Sequence, residues 1–104
     1  MQELFAYRQM ETQFYILLCL RTPQGFINYG QYFLGDDRKV AYTLFRSLKG
    51  NQNLSAPLHI DLMETVDELP VKISTVSCSL YELGENCKII AREIFKLKNL
   101  EDMP

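Results

Sequence analysis

The chain has 104 residues, of which 47% are hydrophobic and 23% are charged, and its formal net charge is −2. These values fit one ordinary globular domain, and about 100 residues leave little interior for a deep cleft. The negative charge argues against a general nucleic-acid or anionic-membrane binder, because such proteins recruit phosphates through a summed positive field.

The cysteine and histidine content argues against a metal site. Three cysteines lie far apart among apolar neighbours and His59 is the only histidine, whereas a zinc site needs closely spaced ligands. We therefore expect free, buried thiols, a reducing cytoplasmic location, no metal and no cofactor. No apolar run approaches the roughly 20 residues that cross a bilayer, and residues 1–12 lack a signal-peptide pattern, so we expect no membrane contact.

The first half of the chain begins with a predicted hairpin. Residues 14–21 and 26–34 are rich in aromatic and aliphatic side chains, and the proline and glycine of residues 22–25 suit a turn between them. Gly30 lies inside the second of these strands, where a glycine indicates a bulge or a close approach of another group.

A helix is predicted after the hairpin. Asp36 supplies a side-chain oxygen for its first amides, and its apolar residues recur at helical spacing. Lys49 and Gly50 close it, because a cation suits the negative end of a helix and glycine adopts the left-handed cap conformation.

The second half repeats this order of elements. Apolar and polar residues alternate over residues 58–63, which is the period of a half-buried strand. Residues 67–70 form the next predicted turn. Residues 71–78 continue as a strand that is polar enough to lie at a sheet edge.

The start of the last helix has two interpretations. Ser79 and Glu82 have the spacing of a capping box, which predicts a helix from Leu80 with its apolar residues on one stripe. Gly84 would then lie inside the helix, where it costs about 1 kcal/mol relative to alanine. A start near Glu85 is the alternative.

Together the elements predict an α+β fold: a two-layer sandwich in ββαββα order, with a four-stranded antiparallel sheet and two helices. The second predicted strand carries Asn28, Gly30 and Gln31 and the fourth is rich in serine, so both are more polar than the first and third. Placing these two more polar strands at the edges gives the strand order 2-1-3-4. Right-handed crossovers put both helices on one face and leave the other, the open face, uncovered. Residues 13–104 form the single domain, and residues 1–12 are an N-terminal segment that could pack on the open face through Leu4, Phe5, Tyr7 and Met10.

The first predicted strand is apolar on both sides, so its open-face residues need a neighbour other than water. A large exposed apolar patch usually marks an interface. We therefore predict a small cytoplasmic protein-interaction module that forms a homodimer through the open face. The predicted interface residues are Leu17, Cys19, Tyr32 and Met63.

The alternative is a small-ligand-binding protein or a weak enzyme, with its site at the dimer interface. Its binding residues would be Tyr15, Tyr29, His59 and Asp61. His59 and Asp61 share one side of a strand, but Glu64 points to the other side and no nucleophile is placed beside them. The sequence therefore favours a non-enzymatic role.

Two further patterns are interpreted as structural. The aromatic residues of the second strand lack the adjacent cations that nucleic-acid binders use. Lys88, Arg92 and Lys96 lie four residues apart and form a basic stripe, which we attribute to a solvated helix face. Proteins or a small molecule are the expected partners, and nucleic acid is not.

Overall fold

The computed structural model describes residues 12–53 and 55–102. Its elements are β1 (Thr12–Thr22), β2 (Gly25–Gly35), α1 (Arg38–Arg46), β3 (Leu58–Val66), β4 (Leu69–Ser77) and α2 (Leu80–Asp102). The four strands form one antiparallel sheet in the order β2-β1-β3-β4. The predicted α+β architecture and strand order are confirmed. The predicted packing of residues 1–12 on the open face falls almost entirely outside the described residues.

The hydrophobic core lies between the helices and one side of the sheet. Alternate residues of β1 and β3 supply its sheet side, because successive strand residues point to opposite faces. Both helices contribute to the same cluster, so both cover the same face. The buried members are Phe14, Ile16, Leu18, Leu34, Ala41, Leu44, Phe45, Ile60, Leu62, Val76, Cys78 and Ile90.

The turn between β3 and β4 is tighter than predicted. Asp67 and Glu68 alone connect the strands, and both have positive φ, as the turns of two-residue hairpins often require. Strand β4 therefore begins at Leu69 and includes Pro70. An edge strand tolerates this proline because one side of its backbone needs no hydrogen bond to a neighbouring strand.

The ends of α1 differ in detail from the prediction. Asp37, and not Asp36, caps the helix, since its Oδ1 accepts a hydrogen bond from the Val40 amide at 3.2 Å. Ser47 is the C-cap, so Gly50 does not close the helix. Gly50 instead has a φ of 151°, and a Cβ there would lie 2.3 Å from the carbonyl oxygen of Ser77.

The capping box at the start of α2 is confirmed. Glu82 Oε1 accepts a hydrogen bond from the Ser79 amide at 2.9 Å, and Ser79 Oγ accepts one from the Glu82 amide at 3.1 Å. The helix therefore starts at Leu80 and not near Glu85, and it accommodates Gly84 in its interior.

Candidate functional site on the open sheet face

Three cross-strand pairs form the centre of the open face. Strand register places Tyr15 opposite Met63, Leu17 opposite Asp61, and Cys19 opposite His59. Residues that oppose each other in an antiparallel pair point to the same side. The pairs alternate with core residues of β1 and β3, so they point away from α1 and α2. All six side chains were predicted from the sequence as interface or binding residues.

Asp61 is the buried charge of this face, with 7% of its surface exposed. Its Oδ1 accepts a hydrogen bond from the Thr75 hydroxyl at 2.5 Å, and its Oδ2 lies 3.7 Å from Cys19 Sγ and 3.8 Å from Lys72 Nζ. A buried carboxylate needs such partners to offset the loss of water. The sequence had indicated Asp61 but neither Thr75 nor Lys72.

The thiol of Cys19 is held in its neutral form. Burial raises the pKa of Cys19 above its ordinary value, and the charge of the neighbouring Asp61 carboxylate raises it further. Since the thiolate is the nucleophilic species, this environment makes Cys19 a poor nucleophile. The chemistry of the site therefore gives no support to covalent catalysis through this residue.

His59 packs against an aromatic ring and not against its predicted carboxylate neighbour. Its imidazole stacks on Phe26, with ring centroids 4.7 Å apart and planes inclined by 26°. Its Nε2 is buried and has no hydrogen-bond partner among the described residues. Asp61 makes its own contacts with Thr75, Cys19 and Lys72, so the two residues share a face without forming a catalytic pair.

The predicted tyrosines fall in three different environments. Tyr15 lies on the open face beside Phe33, with ring centroids 6.0 Å apart. Tyr29 has no partner on β1 because it occupies a bulge between Asn28 and Gly30. Tyr32 pairs with the core residue Ile16 and packs against the core, so its side chain is on the helix side. Burial raises the pKa of both Tyr29 and Tyr32.

An ion pair on the helix side was not predicted from the sequence. Glu64 is buried under the start of α1, where Arg38 Nη2 lies 3.0 Å from its Oε2. The Arg38 guanidinium also lies 5.3 Å from the centre of the Phe14 ring and donates a hydrogen bond to the Tyr42 hydroxyl at 3.2 Å. This network stabilises a charge inside the core layer, which is a structural role.

Two grooves on the described part of the chain lie away from the residues that were predicted to bind a ligand. A groove of about 580 Å³ lies between the two helices, with Val40, Leu44, Ile89 and Leu97 among its lining residues. A smaller one of about 270 Å³ lies near the end of β2. Neither is lined by Tyr15, Tyr29, His59 or Asp61.

Comparison with protein-family models, with curated proteins and with solved structures found no significant match to this chain. Across residues 12–53 and 55–102, no group of three or more His, Cys, Asp or Glu side chains is placed to hold a metal ion. Within the same part of the chain, no helix has both the length and the apolar character to cross a membrane.

Proposed function

We propose that this chain is a small cytoplasmic protein-interaction domain that binds a second copy of itself through the open face. The observation that carries the proposal is the half-buried row Tyr15, Leu17 and Cys19, which points away from both described helices. Apolar side chains in such a position gain free energy when another apolar surface replaces the water beside them.

Two features of the open face favour a protein partner over a reaction. The buried carboxylate of Asp61 is already occupied by Thr75, Cys19 and Lys72, so it has little capacity left to act as a base. Phe33, which flanks Tyr15, is 65% exposed and enlarges the apolar area. Aromatic side chains of this kind are enriched at protein interfaces.

Matched leucine substitutions test the proposal. Leu17→Lys places a charge in the centre of the open face, whereas Leu80→Lys places the same charge on the first turn of α2, where the leucine is 76% exposed. We expect wild type and Leu80→Lys to exceed the 12.1 kDa monomer mass by sedimentation equilibrium at micromolar concentration. Leu17→Lys should lose the contact through the face while keeping its circular dichroism spectrum.

Two results would count against the face contact. In one, Leu17→Lys associates as strongly as Leu80→Lys does. In the other, the full chain is a monomer and associates only after residues 1–11 are removed, which would mean that this segment, and not a second copy, occupies the face. Leu17→Ala, which removes apolar area without adding charge, provides a second variant if Leu17→Lys fails to fold.

A small-ligand site around His59 is the second candidate, and the unpartnered Nε2 beside Phe26 favours it. Buried polar atoms normally have partners, so a ligand that bonds this nitrogen would remove an energetic cost. A thermal-shift screen of small polar metabolites tests this candidate. A ligand that raises the melting temperature of wild type but not of His59→Ala would support it, and equal shifts in both would contradict it.

A further inference from the structure

The outer edge of β2 is unusually open to pairing. Among the described strands, β2 pairs with β1 on one side only, which leaves its other row of backbone groups free. The strand has 11 residues, GFINYGQYFLG, and none of them is charged or is proline. Long, uncharged edge strands are templates for another strand, and proteins normally protect them.

The opposite edge of the sheet shows such protection. Strand β4 carries Pro70 and Lys72, which interrupt pairing by the loss of a donor and by charge. It also has a bulge at Ile73, since Met63 pairs with Lys72 while Leu62 pairs with Ser74. Both edge strands contain bulges, but only the β4 edge also carries a proline and a charged residue.

The side chains of β2 are also exposed to an extent that a partner strand would reduce. Four large apolar residues of the strand are between 48% and 65% exposed. Cross-strand contacts between aromatic and aliphatic side chains are the main stabilising unit of a sheet. These residues are Phe26, Ile27, Tyr29 and Phe33.

The strand itself limits where pairing is regular. Tyr29 and Leu34 have no partners on β1, so two bulges flank the regular stretch 30–33. In an antiparallel pair of strands, side chains of residues that oppose each other point to the same face of the sheet. If two copies of β2 pair about a two-fold axis, that axis must therefore pass through a residue, which then opposes its own copy. Gln31 lies in this stretch, is exposed, and carries an amide that can hydrogen-bond to its own copy.

We propose that the free edge of β2 pairs antiparallel with β2 of a second copy, centred on Gln31, to give one continuous eight-stranded sheet. A second copy fits because an uncharged strand meets no electrostatic repulsion from itself, and a two-fold axis makes the contact closed. The axis is perpendicular to the sheet, so the helices of both copies lie on one side and the two open faces join on the other. The contact is made by backbone groups along the β2 edge, whereas the contact proposed above is made by side chains of the open face, and both serve self-association.

A matched pair of lysine substitutions tests the edge contact. Gln31→Lys places two lysines opposite each other at the axis, and Ser74→Lys places the same charge in the middle of the other edge strand. Both original residues are exposed and polar, so neither change removes core packing. The chain with Leu17→Ala serves as the background, because it weakens a contact through the open face without placing a charge opposite residue 31, which pairs with residue 17.

In this background we expect a concentration-dependent dimer by sedimentation equilibrium. Gln31→Lys should weaken it about fivefold, as like charges directly opposite each other do, and Ser74→Lys should leave it unchanged. Hydrogen–deuterium exchange supplies a second measurement. Amides on the free edge of β2 should exchange more slowly as protein concentration rises, while those of β4 should not.

The results separate the two proposals. If exchange in β2 is independent of concentration, or if Gln31→Lys and Ser74→Lys act alike, the edge contact is refuted even when Leu17 still controls association. If Leu17→Lys associates as strongly as Leu80→Lys does, and Gln31→Lys weakens that association, the edge contact stands and the face contact is refuted. A chain that stays monomeric at every concentration overturns both.

Discussion

Across the two strands β3 and β4, the hydroxyl of Thr75 donates a hydrogen bond of 2.5 Å to the buried carboxylate of Asp61. This bond satisfies the main charge that the sheet carries on its open face. It therefore connects the stability of the domain to the surface proposed for self-association.

Loss of the Thr75 hydroxyl should destabilise the fold. Thr75→Val keeps the size of the side chain but removes the donor to Asp61, and a buried group left without its partner costs about 1–3 kcal/mol. Ser74→Ala, on the exposed neighbour, is the control and should change little. Urea unfolding measures both, and equal midpoints for the two variants would show that the bond contributes nothing.

Substitution of Asn86 should lower the free energy of unfolding more than substitution of most other polar residues. It is fully buried in α2, accepts a hydrogen bond from the Lys49 amide at 2.7 Å and donates one to the Lys49 carbonyl at 2.8 Å. Asn86→Ala leaves both backbone groups without partners and should cost about 2–4 kcal/mol in urea unfolding. Lys49→Ala removes only the exposed ion pair with Glu85 and should have a small effect. A larger loss of unfolding free energy in Lys49→Ala than in Asn86→Ala would contradict this account.

Two glycine-to-alanine substitutions should change the free energy of unfolding in opposite directions. Gly50→Ala adds a Cβ at positive φ and 2.3 Å from the Ser77 carbonyl oxygen, so it should destabilise by at least about 2 kcal/mol. Gly84→Ala lies inside α2 with no atom within 4 Å of the new Cβ, so it should stabilise by about 1 kcal/mol. Thermal unfolding followed by circular dichroism measures both. Stabilisation by Gly50→Ala would refute the close approach of Gly50 to Ser77.

Stability should fall at alkaline pH. Burial raises the pKa of Cys19, Cys78, Tyr29 and Tyr32 in the folded chain, so each holds its proton to higher pH than in the unfolded chain. The unfolded state then binds fewer protons, and the free energy of unfolding decreases as pH rises. This contribution is fully present below the ordinary pKa of a thiol in the unfolded chain, and it is lost as the pH rises through the raised pKa values of the folded chain. A free energy of unfolding that is flat or rising from pH 8 to 11 would contradict the prediction.

The fold was largely predictable because its signals are local and agree with one another. The alternation of β3, the helical spacing of α1 and the capping box before α2 each specify one element. The polarity of β2 and β4 relative to β1 then determined the strand order. His59 and Asp61 were correctly placed on one face for the same reason, since strand alternation alone decides it.

Pairing across β3 and β4 was less predictable because it depends on a bulge. A two-residue turn at Asp67 and Glu68 would by itself place Asp61 opposite Ser74. The unpaired Ile73 moves the register by one residue and brings Thr75 there instead. A single bulge thus decides which hydroxyl meets the carboxylate, and no residue type in β4 indicates where it falls.

The bulge at Ile73 also affects whether further copies of the chain can add to the sheet at the β4 edge. Because Ile73 has no partner on β3, its deletion would preserve every pair of that ladder and would straighten the outer strand. A sheet that can pair with another copy at both of its edges continues to add copies and becomes a fibre. A sheet that can pair at one edge only forms a dimer and stops. The displaced isoleucine, together with Pro70 and Lys72, makes the β4 edge the one at which addition of further copies stops.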